Sequence, residues 1–331
     1  MTRIAVVLLV CMVFSSPADS LRLEGEPFRP NARIVWAATN EIPPRLMIYQ
    51  VVPQQFSNEL ISNLLKITFF KPVNMKLSAD KKTMSWRYRE EDGGLVRSLD
   101  VAPSFGYINY FNTDAKKEDT KHPATGVPSY EEVEKLAVHY LQLLGGDTNQ
   151  LSWKPQSRTE LDSTSYDKRP WKGGHVIQQQ VLMRGIMLCR QVDNIRFNSP
   201  CGRGGIFITI GSNARISDLE LNWRNLQTFH LYKTVTQAKI VKFIKTGNAV
   251  VPDPENTDLT SLLQAKKLTI TDIAPRYWGE VGGAPQDFVY PFAELQVTAD
   301  LGGTNKINFV LNCPVIDETQ PLSPAEKNNS P

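Results

Sequence analysis

Histidine and cysteine are scarce in this chain, four of each in 331 residues, and their scarcity narrows the chemistry it can carry. His122, His139, His175 and His230 are scattered, with no HExxH-like spacing, so a metal site would have to be assembled entirely by the fold. They read as ordinary surface or hydrogen-bonded histidines. A G-x-S-x-G nucleophile elbow is missing. The glycines of Gly202-x-Gly204-Gly205 precede a strand pattern and not a helix, so they cannot offer phosphate a helix N-terminus, and they read as a turn. An excess of one charge is missing too: 37 basic against 34 acidic residues leave a formal +3. No basic stripe calls for nucleic acid or an anionic membrane. The acidic run Glu90-Glu91-Asp92 leads into Gly93-Gly94 and reads as a solvated turn. After the first residues, no apolar run approaches the ~20 residues that span a bilayer.

What is present begins with an export signal. Residues 1–20 combine a positive start at Arg3, an apolar run from Ile4 to Phe14, and a small polar stretch that puts Ala18 and Ser20 at the −3 and −1 positions of a signal-peptidase site. The expectation is a cleaved leader and a mature chain outside the cytoplasm, periplasmic or extracellular, with no stable membrane insertion. Three cysteines then remain: Cys189, Cys201 and Cys313. An oxidising compartment predicts one disulfide and one leftover thiol. The turn formers Asn198, Ser199 and Pro200 favour Cys189 with Cys201, and three free thiols are the alternative.

With 41% hydrophobic residues, the chain can bury a core large enough for two or three modules of about 100 residues. Residues 21–53 are proline-rich and predict an extended lead-in lying against a later domain. Phe56, Leu60, Ile61, Leu64 and Leu65 recur at helical spacing. Strands follow around Trp86 and Tyr88, from Leu95 to Val101, and from Tyr107 to Phe111, giving a first module over 54–115. The polar stretch from Asn112 to Pro128 has linker composition. Ser129-x-x-Glu132 is a capping box, and Val133, Leu136, Ala137, Tyr140, Leu141 and Leu144 make an amphipathic helix. A strand over His175 to Cys189 leads to the alternating Ile206, Ile208 and Ile210. A turn at Gly211-Ser212-Asn213 and a return strand through Leu219 and Leu221 complete a hairpin. Thr234 is expected to cap a second helix that ends at Gly247. Beyond a Pro- and Asp-rich break, Leu259 to Leu263 predict a short helix. Strands are predicted from Leu268, over Phe288, Tyr290 and Phe292, and over Ile307, Phe309 and Leu311. Residues 317–331 are expected to be a flexible tail.

The segments GGIFITIGSNARISDLELNW, KTVTQAKIVKFIKTG and PRYWGEVGGAPQDFVYPFAEL, within 129–316, resemble exported PepSY-like proteins and regulators of the YycH/YycI type. The resemblance implies an α+β fold, PepSY-like or cystatin-like, of tandem modules with helices packed on antiparallel sheets. It also implies a role in restraining, inhibiting or regulating a partner, and it transfers no catalytic residue. Trp223, Tyr277 and Trp278 sit beside polar turns and are the candidate binding residues, with core packing as the competing reading. The functional expectation is a secreted, non-enzymatic binding protein with an unknown protein or peptide partner, no cofactor and no metal. An exported hydrolase or lyase with a site assembled from distant residues is the alternative, as is a structural component of an envelope assembly.

Overall fold

The computed structural model describes residues 23–68, 70, 76–80, 85–92, 95–113, 126–153, 158–167, 178–198, 204–280, 282 and 284–321. The expected leader at 1–20, most of the expected linker, and Cys201 lie outside the described residues.

The expected tandem of α+β modules is corrected. The protein is predominantly β, with an eight-stranded, a six-stranded and a four-stranded sheet, and four α-helices among the described residues. The reason lies in strand register. Tyr107–Asn112, the last strand of the expected first module, pairs antiparallel with Ile216–Asn222 of the expected second, Leu221 facing Ile108 and Leu219 facing Tyr110. The two stretches therefore build one sheet, in the order Lys76–Asp80, Ser85–Asp92, Leu95–Ala102, Tyr107–Asn112, Ile216–Asn222, Gly205–Ile210, Gln178–Cys189, Arg158–Asp167.

Helices α1 (Asn58–Thr68) and α2 (Tyr130–Leu143) bury their apolar stripes in the core of this sheet. Leu64, Val133, Ala137 and Leu141 join Leu99, Ile108, Ile206, Ile208 and Leu219 there. Helix α2 starts where the sequence predicts: the Ser129 hydroxyl accepts from Glu132 N at 3.3 Å, and Ser129 N donates to the Glu132 carboxylate at 2.7 Å.

A second core lies between the other two sheets. The six-stranded sheet runs Glu26–Phe28, Ala249–Val251, Asn305–Pro314, Pro291–Gly302, Lys267–Tyr277, Arg33–Trp36, and the last pairing is parallel. The four-stranded sheet runs Phe288–Val289, Arg45–Val52, Asn225–Thr234, Ile316–Pro321. Helices α3 (Gln237–Thr246) and α4 (Leu259–Leu263) pack on this core through Ile240, Ile244 and Leu262. The cap of α3 is Thr236 and not Thr234: its hydroxyl accepts from Lys239 N at 3.3 Å. Gly247 ends the helix at φ 81°, a left-handed conformation that suits glycine.

The chain thus leaves the second core at Val52, builds the whole eight-stranded unit over 58–222, and re-enters at Asn225. Exit and re-entry are neighbours, because Val52 pairs with Asn225 and Val51 with Leu226. The lead-in is a structural part of the second core, contributing three strands to its two sheets. Two further differences from the sequence reading follow from pairing. Phe288, Tyr290 and Phe292 do not share one strand: the chain switches sheets at Tyr290, and Pro291 takes the first position of the next strand, where its missing N–H is tolerated. The strand Ile316–Pro321, which runs from the end of the expected second region into the expected tail at 317–331, pairs with Asn225–Thr234.

Candidate functional site

The most polar part of the interior is the joint between the two cores. Arg190 follows the strand Gln178–Cys189, and Arg224 follows Ile216–Asn222; both are only 4% exposed. The Arg190 guanidinium lies over the Trp223 ring at 4.6 Å and faces Phe197 at 5.6 Å. Its Nε donates to Gln150 Oε1 at 2.8 Å and its Nη1 to the Arg224 carbonyl at 2.6 Å. Arg224 reaches across to the loop after Tyr277: Nη1 donates to Glu280 O at 3.1 Å and to Asn222 Oδ1 at 3.0 Å, and Nη2 donates to Ala284 O at 2.9 Å.

Burial holds Arg190 down to about 9, opposed by Asp147 and reinforced by the charge of Arg224. Burial likewise holds Arg224 down to about 10, opposed by Glu280. Both remain cations at neutral pH, and the planar fork of arginine suits a cluster of carbonyl acceptors.

The loop is fastened from several sides. Gly279 N donates to Asn198 Oδ1 at 2.9 Å, Trp278 Nε1 to Glu280 Oε1 at 2.8 Å, and Gln286 Nε2 to Trp278 O at 2.8 Å. Near the exit strand, Gln54 Nε2 donates to Trp223 O at 3.1 Å, and Trp223 N donates to Gly106 O at 2.8 Å. Gly106 has φ 60°, and a Cβ there would sit 2.2 Å from the Trp223 carbonyl oxygen, so the close approach requires glycine.

The hairpin Gln191–Arg196 carries Ile195 and Phe197 out of the eight-stranded unit into the second core. Its tip residues Asp193 and Asn194 have φ 51° and 61°, and Tyr49 OH donates to Asp193 Oδ2. Burial first, then the hydrogen bond to Asp193, raises the Tyr49 hydroxyl far above its ordinary value; burial does the same to Tyr277. Cys189, at the root of the hairpin, is disulfide-bonded, while Cys313 is a free buried thiol pushed up to about 12 by burial. The expected partner, Cys201, is outside the described residues.

The three candidate binding aromatics come together at this joint. Trp223 lies beneath Arg190, Tyr277 packs edge-on against Tyr49 at 5.4 Å, and Trp278 packs against Phe292 at 5.8 Å. All three are enclosed by protein.

Two open clefts are described. One, of about 320 Å³, lies between residues 36–42 and the start of α3. The other, of about 350 Å³, lies on the outer face of the six-stranded sheet, between the strands Pro291–Gly302 and Asn305–Pro314 and the loop from Pro252 to Asp258. Asn198 belongs to both the second cleft and the joint. Neither cleft is lined by Trp223, Tyr277 or Trp278. Among the described residues, no group of three or more His, Cys, Asp or Glu could hold a metal ion, and no helix is long and apolar enough to cross a membrane.

Arg190, Arg224, Asn198 and Asn312 were not singled out as functional residues by sequence reasoning. Arg224 follows the noted Trp223, which is the nearest thing to a local signal. Asn312 is one polar residue in an alternating strand, at an outward position that ordinarily faces water.

No protein-family model matches the chain, and no curated protein matches it. Among solved structures it is similar to an uncharacterized protein from Eubacterium rectale ATCC 33656, at 12% identity over 88% of this chain and 89% of that one, with a TM-score of 0.46.

Proposed function

We propose that this chain is an exported binding or regulatory protein that engages a protein or peptide partner and acts by holding or restraining it, without turnover of a substrate. The observation that carries the reading is the shared position of Asn198. Its Oδ1 holds Gly279 N at 2.9 Å in the joint, and the same residue lines the open cleft. An occupant of the cleft therefore touches a residue that fixes how the two cores meet, the arrangement a restraining protein needs to convert binding into a change of shape or rigidity. The resemblance of the segments within 129–316 to PepSY-like exported proteins supports the same role, and the leader-like residues 1–20 support export. The reading requires no cofactor.

The test is to express the tagged full chain in its native host and cross-link it in the exported fraction. The partner it captures is then purified separately, and the complex is rebuilt from the two pure components. A saturable one-to-one complex is expected. Failure to rebuild any complex, together with turnover of a small substrate by the pure chain, would favour the exported-hydrolase alternative and overturn the proposal.

A further inference from the structure

The cleft on the outer face of the six-stranded sheet contains two buried side-chain amides that the protein does not fully use. Asn312 is 5% exposed and Asn198 is 4% exposed, and both line the cleft. Among the described residues, the Asn312 amide makes no hydrogen bond, and Asn198 uses only its Oδ1, toward Gly279 N. Neither amide is among the fully enclosed polar atoms that lack a partner, so the uncommitted atoms open into the cleft and have hydrogen-bonding capacity to offer an occupant.

The groups around them are already committed. Glu294, directly opposite Asn312 in the register, accepts from Arg276 Nη2 at 2.7 Å. Asn308 Oδ1 accepts from the Thr298 hydroxyl at 2.8 Å. The uncommitted amides therefore sit in a frame that other bonds hold rigid.

The chemistry of the frame selects the occupant. A primary amide carries a donor and an acceptor side by side, the complement of a peptide group. Asp253 and Asp258 line the cleft, already accepting from Asn256 and Ser261, and no Lys or Arg lines it, so the net charge of the cleft disfavours anions and favours a positive group. Its two lining aromatics, Phe292 and Phe309, are 0% and 7% exposed and offer almost no open ring surface. A sugar ring would find no stacking platform. The volume, about 350 Å³, is at the small end of ligand sites and holds a few residues of chain.

We infer that this cleft binds a short extended segment of polypeptide carrying a basic side chain. Asn312 and Asn198 hydrogen-bond its peptide groups, and Asp253 and Asp258 face the basic side chain. The inference deepens the binding role proposed above and rests on it.

The test titrates the isotope-labelled mature chain with three probes: acetyl-Ala-Lys-Ala-amide, acetyl-Ala-Glu-Ala-amide and N-acetylglucosamine. The lysine peptide should shift the side-chain amide resonances of Asn312 and Asn198 saturably and bind about tenfold or more tightly than the glutamate peptide. Asn312→Leu should weaken the lysine peptide by about tenfold without lowering the melting temperature. The double variant Asp253→Asn and Asp258→Asn, which keeps a capping side chain at 258, should abolish the preference for lysine over glutamate. No saturable shift at those amides, equal binding of the two peptides, or saturation by the sugar alone would overturn the inference. If the peptides fail while the captured partner still forms its one-to-one complex, the cleft assignment falls and the binding role stands.

Discussion

The joint and the cleft are both polar places inside an otherwise apolar protein, and they differ in what their groups face: protein at the joint, open space in the cleft. At the joint, two buried cations are answered by carbonyls and side-chain oxygens at hydrogen-bonding distance, with aromatic rings around Arg190. In the cleft, the Asn312 amide and the Asn198 Nδ2 group make no bond to protein among the described residues. The same kind of group therefore works in two ways. Bonded within the protein, it fixes geometry; opening into the cleft, it can bond something else. Asn198 does both, one atom for each.

The largest effect is expected where the joint is opened. Arg224→Ala removes that donor from Ala284 O, Asn222 Oδ1 and Glu280 O in a buried setting; Glu280 O keeps the Asn222 amide at 3.1 Å, and an acceptor left stranded costs about 1–3 kcal/mol. Denaturant melts should show a total loss of about 3–5 kcal/mol, with Arg224→Lys intermediate because it keeps the charge and loses the planar fork. A variant within 1 kcal/mol of the parent would mean that the joint does not hold the cores.

Apolar packing gives the scale for comparison. Leu141 and Ile208 are wholly enclosed in the core of the eight-stranded unit. Truncation of either to Ala should cost about 2–5 kcal/mol, and Gln142→Ala, on the exposed side of α2, about 0.5 kcal/mol or less. A smaller step tests a polar group that is met by protein but lies at the surface: Ser129→Ala removes half of a capping box and should cost about 1 kcal/mol, read as a lower denaturation midpoint. The smallest expected effect separates the two faces of a single strand. Cys313 points into the core, and its thiol, pushed up to about 12, should resist labelling by a small thiol reagent until the protein unfolds. Asn312→Cys, one residue earlier and facing the cleft, should label in the native state.

Local order was largely legible in the sequence, and long-range order was not. The capping box at Ser129, the hairpin from Gly205 to Asn222 and the glycine stop at Gly247 each declare themselves within a few residues. Asn225–Thr234 does not: its burial fails to alternate, so NLQTFHLYKT shows no period of two, although the strand pairs along nearly its whole length with Arg45–Val52. The nesting of one unit inside the other depends on that pairing between segments far apart in the chain, and no local pattern announces it. The joint was half visible. Trp223, Tyr277 and Trp278 stood out as large aromatics beside turns, and they do converge. The arginines and asparagines that give the place its polarity were single polar residues in apolar surroundings, without a spacing to mark them.

The contrast between a polar group the fold uses and one it leaves open is tested most directly by paired urea unfolding of Arg224→Ala and Asn312→Leu in the full mature chain. The account predicts different outcomes: a loss of about 3–5 kcal/mol for Arg224→Ala, and an unchanged or raised stability for Asn312→Leu, which removes an amide that opens into the cleft and makes no bond to the described protein. Comparable losses in both variants would contradict it, because Asn312 would then be a structural residue like Arg224, and the cleft would have no open group to offer a ligand.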